Sequence, residues 1–101
     1  MSNEIFFIFN TDESDKDRSF SMSKESTIKE LLYTFLRKTN TVLTLDTSKI
    51  IFWNKNQLLN TEKNVNQKIG SYFNKSVQNI KIRVTDVGKI LGGTHMFKIL
   101  Y

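Results

Sequence analysis

Few residues in this sequence have side chains that catalyse reactions or bind metals, and their spacing limits the chemistry they support. Four carboxylates, Asp12, Glu13, Asp15 and Asp17, cluster in one polar stretch. Carboxylates act as acid and base in a shielded pocket, whereas on a loop tip they are solvated charge. His95 is the only histidine and cysteine is absent, so no thiolate nucleophile or clustered metal site is indicated. We therefore predict a protein that is not an enzyme and needs no metal or cofactor.

A diglycine, Gly92-Gly93, precedes the last eight residues THMFKILY, five of which are apolar. Such a pair is compatible with a turn, a linker or a reactive tail that processing uncovers. Two glycines suit the positive-φ positions of a type I′ hairpin turn. The same absence of side chains lets a diglycine enter narrow channels in extended form. The choice depends on the fold that precedes it.

The composition indicates one soluble intracellular domain. The 101 residues are 39% hydrophobic and 25% charged, which permits a modest single core. The start of the chain lacks the pattern of a signal peptide, and no apolar run reaches membrane-spanning length. The net charge of +5 raises the question of nucleic acid, but the lysines are spread without a basic cluster.

The elements that must position these residues are predicted from hydrophobic periodicity. Alternating, β-branched or aromatic stretches predict strands, with a short extended piece around Leu58. TEKNVNQ is predicted to be a polar surface loop, and KIGSYF a short helical turn with Gly70 at its end. The predicted strands cover residues 4–10, 18–23, 49–54 and 79–85.

One helix is predicted over residues 27–39. Its apolar residues recur at the spacing of a single helix face: Ile28, Leu31, Leu32, Phe35 and Leu36. Thr27 and Glu30 have the spacing of a capping box. A lone amphipathic helix must cover a sheet, so the class is α+β.

The order and residues of these elements resemble the ubiquitin family and its β-grasp fold. EIFFIF resembles the first strand, KESTIKELLYTFL the helix entry, KIIFWNKNQLLN the central strand, KIGSYFNKSVQNIKIRV the turn and last strand, and LGG the C-terminal diglycine. Ubiquitin-fold modifiers with a Val-Gly tail are a second match, through ESTI and DVG. The resemblance implies a mixed four- to five-stranded sheet with one helix on one face. It also implies a domain over residues 1–93 and an extension over 94–101.

What the resemblance implies for function is a protein modifier of the cytoplasm or nucleus, made as a precursor. A protease would cut after Gly93, and activating and conjugating enzymes would join the freed carboxylate to an amine. An alternative is a non-conjugating interaction module bound by receptor proteins, with residues 94–101 folded back on the domain. A third is a small nucleic-acid-binding protein that uses Trp53, Lys81 and Arg83. Leu91 replaces the arginine that precedes the diglycine in ubiquitin, which weakens the modifier hypothesis.

A candidate partner surface follows from alternation. Burying Ile5, Phe7 and Phe9 under the helix leaves apolar residues on the opposite side of the sheet. Placed in the β-grasp strand order, these residues surround two cations. The predicted partner surface comprises Phe6, Ile8, Ile51, Trp53, Lys81 and Arg83. The alternatives are that another part of the chain covers this face, or that one strand is shifted by one residue.

Overall fold

A computed structural model describes residues 3–73 and 79–92. Within these ranges the chain forms five strands, one long helix and two short ones. The elements are β1 (Glu4–Asn10), β2 (Arg18–Ser23), α1 (Ile28–Lys38), β3 (Ile51–Asn54), β4 (Gln57–Leu58), α2 (Glu62–Val65), α3 (Ile69–Tyr72) and β5 (Asn79–Thr85). A 3₁₀ turn, Ser14–Lys16, lies between β1 and β2.

The strands form one mixed sheet in the order β2-β1-β5-β3-β4. β1 and β5 are the parallel pair, with Phe7 opposite Ile80 and Ile8 opposite Lys81. The other neighbouring pairs are antiparallel. This is the predicted strand order, and the predicted α+β, β-grasp architecture is confirmed.

α1 begins as its sequence predicts. The Thr27 hydroxyl accepts a hydrogen bond from the Glu30 amide at 3.1 Å, and the Thr27 amide donates to Glu30 Oε1 at 2.8 Å. The capping box therefore satisfies two amide groups that helix geometry leaves without partners. Arg37 and Lys38 occupy the last turn, where positive charge is favourable to the helix dipole.

The core lies between α1 and one face of the sheet. All five residues of the apolar helix stripe are fully buried, as are Phe7, Phe9 and Phe52. Phe9 stacks on Phe35 with ring centroids 4.6 Å apart, and Phe52 meets Phe35 edge-on at 5.7 Å. Aromatic pairs of this kind contribute about 0.5–1.5 kcal/mol beyond their buried area. The burial of β1 and β5 alternates strictly enough to exclude a one-residue shift in either strand.

Three local features differ from the sequence predictions. Residues predicted as a polar loop contain α2, which Thr61 caps and whose Val65 is buried. β3 begins at Ile51 rather than Lys49 because the Lys49 and Ile50 amides both donate to the Asp46 carbonyl in a preceding turn.

Gly70 lies inside α3 rather than at its end. A Cβ at this position would lie 3.0 Å from Lys24 Cβ. Its amide donates to the Lys24 carbonyl at 2.9 Å, so glycine permits the close approach. Across the described ranges, no helix has the length and hydrophobicity that a membrane crossing requires.

Candidate protein-docking face

The six residues of the predicted partner surface lie together on the side of the sheet opposite α1, which we call the outer face. β-Strand alternation turns Phe6 and Ile8 of β1 outward while their neighbours are buried. Ile8 pairs with Lys81 of β5, and Arg83 pairs with Trp53 of β3. Each cation therefore has one apolar residue directly opposite it, Ile8 for Lys81 and Trp53 for Arg83. The role of this surface in binding stays a prediction.

Trp53 is held in a fixed orientation on this face. Its indole Nε1–H donates to the Thr85 hydroxyl at 3.1 Å. The Arg83 guanidinium lies over the ring, 5.3 Å from its centroid, a geometry that gives a cation–π attraction. The ring is only partly exposed. A large side chain that is already ordered loses little rotamer freedom when a partner binds.

Leu58 completes the apolar border, and sequence reasoning did not assign it to this surface. It lies directly opposite Trp53 in the β3–β4 pair and is partly exposed, whereas the adjacent Leu59 is fully buried. Alternation predicts only that Leu58 and Leu59 lie on opposite sides of the sheet. The side that each leucine takes depends on the register of β4, which two strand residues do not fix.

The two cations of the outer face are exposed and form no ion pair with any residue of the described ranges. Lys81 and Arg83 alternate with the buried Ile80, Ile82 and Val84. The only ion pair between described residues joins Lys68 to Glu25, at 2.9 Å. The exposed Glu4, which makes contacts of its own, lies at the start of β1 on the same face.

A groove of about 670 Å³ opens beside these cations. Its lining includes Trp53, Lys81 and Arg83, together with Lys55 from the β3–β4 turn and Tyr72 from α3. The Tyr72 hydroxyl donates to Gln57 Oε1 at 2.7 Å, and burial raises the pKa of the Tyr72 phenol. The groove extends the outer face past Trp53 and adds a third exposed cation.

The segment that follows β5, residues 86–92, is hydrogen-bonded to the domain, and we call it the C-terminal arm. Asp86 accepts the amides of Ile90 and Leu91 on its two carboxylate oxygens, at 2.7 and 2.9 Å. Ile90 is buried and Leu91 packs against the core. No pattern in the sequence predicts this clasp between the Asp86 carboxylate and the two amides.

The arm ends in a conformation that favours glycine. Gly92 has φ of +83°, in the left-handed region. Its amide donates to the Thr41 hydroxyl at 2.9 Å. Thr41 is buried, and its hydroxyl also lies 2.8 Å from that of Thr39. The predicted conjugation tail is thus described only at Gly92, because Gly93 and residues 94–101 lie outside the described residues, as does His95.

The acidic loop has no pocket character. Asp12, Glu13 and Asp15 are exposed. Asp17 serves the loop itself, since its Oδ1 accepts the Thr11 amide at 2.7 Å and the Thr11 hydroxyl at 3.1 Å. Within the described part of the chain, no group of three or more histidine or carboxylate side chains is arranged to hold a metal ion.

Comparisons with known proteins support the fold alone. No protein-family model matches the sequence, and no curated protein matches it. A similar solved structure is the N-terminal ubiquitin-like domain of tubulin-binding cofactor B from Drosophila melanogaster, determined by NMR. It superposes with a TM-score of 0.57 at 17% sequence identity and covers 85% of this chain and 87% of that chain. The fold of this protein is therefore that of a ubiquitin-like domain.

Proposed function

We propose that this protein is a ubiquitin-like interaction module that binds a protein partner through its outer face. The observation that carries the proposal is the arrangement around Trp53, a fixed aromatic ring beside Arg83 and bordered by Ile51 and Leu58. Tryptophan and arginine are enriched among residues that dominate binding energy. A contiguous, partly apolar face on a small domain is typical of an interaction site.

The C-terminal arm supports a module over a modifier. A conjugating tail must extend away from the domain to reach an enzyme, whereas Gly92 is hydrogen-bonded to Thr41 and follows the clasped residues Ile90 and Leu91. The positive φ of Gly92 also explains one glycine of the pair by conformation. The similar domain belongs to a protein named for tubulin binding, which accords with use of this fold in interaction.

The test compares two double variants in an affinity capture from the protein's own cells. Ile51→Ala with Trp53→Ala removes two anchors from the outer face. Val42→Ala with Leu43→Ala is the matched control, since these apolar residues are 53% and 45% exposed and lie in the loop after α1. Circular dichroism and thermal unfolding establish that each variant is folded.

We expect a partner captured by the wild type and the control to be lost from the outer-face variant. The direct contact is then tested with the purified partner, by mapping which backbone amide signals shift in NMR spectra. A partner retained by the folded outer-face variant, or amide shifts confined to the α1 side, would exclude the outer face as the docking site.

A protein modifier is the second candidate function, favoured by the position of Gly92-Gly93 shortly after the last strand. Mass spectrometry of the C-terminus of protein isolated from its native cells separates the two functions. A mature chain that ends at Gly93, together with conjugates, supports the modifier. A chain that keeps residues 94–101 supports the module and the alternative in which those residues stay with the domain. Neither finding would favour the Val-Gly type, because Gly88 donates its amide to Lys49 within a folded segment.

A further inference from the structure

We propose that the partner of the outer face presents an acidic segment, with carboxylates that meet Lys81 and Arg83 and an apolar side chain that packs beside Trp53. This inference rests on the proposed docking function and specifies the chemistry of the partner. Charge complementarity carries it, because the described cations of this face lack carboxylate partners in the described part of the chain.

The cations form a row along the path that a bound segment would take. Lys81 and Arg83 are alternate residues of β5 on one face, which places them about 7 Å apart along the strand. Lys55 lines the same groove from the β3–β4 turn. Alternate residues of an extended peptide have the same spacing, so successive carboxylates on one side of a peptide match successive cations of β5.

A purely apolar partner fits this face poorly. Covering Ile8 or Trp53 also covers Lys81 or Arg83, because each apolar residue is paired with a cation across the strands. Removing an unpaired charge from water is strongly unfavourable, whereas a carboxylate partner compensates for the lost hydration. The cations therefore select against apolar ligands and for acidic ones.

The contacts that Trp53 already makes favour a protein segment over nucleic acid as the partner. Bases bind such surfaces by stacking on open aromatic rings. Arg83 lies over the Trp53 ring, and the indole N–H is committed to Thr85. Phe6 and Ile8 add apolar surface that phosphates would not complement. Aliphatic and acidic side chains together match what the face offers.

The experiment uses the full chain and the fluorescence of Trp53, the single tryptophan of the protein. Short tryptophan-free Glu–Leu peptides carry Glu, Glu and Leu at alternate positions with Ser between them, so that all three side chains lie on one side of the extended chain. They are titrated beside Gln–Leu and Lys–Leu peptides, in which Gln or Lys replaces Glu, and beside a thymidine oligonucleotide. The Lys81→Glu/Arg83→Glu variant is compared with Lys29→Glu/Lys63→Glu. The control makes the same change of charge at exposed lysines of α1 and α2.

We expect the Glu–Leu peptide to bind at least about tenfold more tightly than the Gln–Leu peptide, and to lose about tenfold or more in affinity in the Lys81/Arg83 variant only. Its affinity should also fall as salt is added. If the Gln–Leu peptide binds as tightly as the Glu–Leu peptide, and the charge reversal changes neither affinity, the proposal of an acidic partner is wrong. The proposal that the outer face docks a protein would still stand. Failure of the Glu–Leu peptide to bind, or preference for the oligonucleotide, would also overturn the proposal of an acidic partner.

Discussion

Replacing Asp86 with alanine should loosen the C-terminal arm, and the size of the effect follows from its contacts. The carboxylate accepts two amides, from Ile90 and Leu91, at 2.7 and 2.9 Å. Hydrogen bonds to a charged group contribute about 1.5–3 kcal/mol each. Because Asp86 is only half-buried and water replaces part of what is lost, we expect the free energy of unfolding to fall by about 2–4 kcal/mol.

The arm itself limits this cost. If Ile90 leaves its buried position, the protein also loses the roughly 1.5–3 kcal/mol that burial of an isoleucine provides. The detached segment then regains its conformational freedom and its amides bind water, so the total loss does not exceed the stability that the arm contributes. The Asp86→Asn variant keeps one acceptor oxygen and should lie between the alanine variant and the wild type.

Urea denaturation followed by Trp53 fluorescence measures the change, and hydrogen exchange at the Ile90, Leu91 and Gly92 amides reports the arm directly. Asp12→Ala is the matched control, since it removes an exposed carboxylate from the β1–β2 loop. It should change stability by less than about 0.5 kcal/mol. The reasoning is wrong if Asp86→Ala changes the free energy of unfolding as little as Asp12→Ala does, and if its arm amides exchange no faster than those of the wild type.

Three further predictions concern the scaffold. Asn60→Ala should lower the free energy of unfolding by about 3 kcal/mol or more, because the buried side-chain amide binds three backbone groups that would lose their partner. A melting temperature within about a degree of the wild type would contradict this. Thr27→Ala should cost about 1 kcal/mol by removing the helix cap, whereas Thr47→Ala, at an exposed loop position, serves as the control in the same urea titration. Hydrogen bonds from the Ser48 amide and then its hydroxyl hold the pKa of Asp46 below its ordinary value of 3.8. The stabilisation is present above pH 3.8 and is lost as the pH falls through the lower, folded-state pKa; if Asp46→Asn leaves the acid dependence of stability unchanged, the assignment is wrong.

The parts of the fold that were predicted correctly are those where local pattern and tertiary packing agree. Every residue of β1 between its polar ends is apolar, so alternation alone does not show which side of the strand is buried. Packing against the apolar stripe of α1 places Phe7 and Phe9 inside and leaves Phe6 and Ile8 outside. The apolar stripe of α1 is buried only if it packs on an apolar sheet face, and the β-grasp strand order forms such a face. Agreement between these levels fixes which side of each strand is buried.

The parts that were missed depend on contacts between residues far apart in the chain. α2 has Val65 as its single buried residue, so it shows no helical period, and only the Thr61 cap indicates it. The hydrogen bond from Gly92 to Thr41 joins residues 51 positions apart. Asp86 begins an Asp-Val-Gly sequence after a strand, which predicts only a turn. Nothing in that pattern indicates that the Asp86 carboxylate binds the amides of Ile90 and Leu91. Single-sequence patterns report periodicity and turns, but not which side chain completes a distant backbone group.

The diglycine therefore has two distinct explanations that the Asp86 clasp can separate. The positive φ of Gly92 favours glycine even if no enzyme ever acts on the chain, and the Gly92 backbone amide binds Thr41 in that conformation. Conjugation would require the same residue in an extended form, so the clasp and the threading of the tail compete. If the protein is a modifier, Asp86→Ala should raise the rate at which a processing protease cuts after Gly93, because the arm is released more often. If it is an interaction module, the same variant should bind its partner as before, since Asp86 lies beyond the strand that carries Lys81 and Arg83. One substitution outside the outer face, in the arm that carries Gly92, thus distinguishes the use of Gly92 as a turn from its use as a tail.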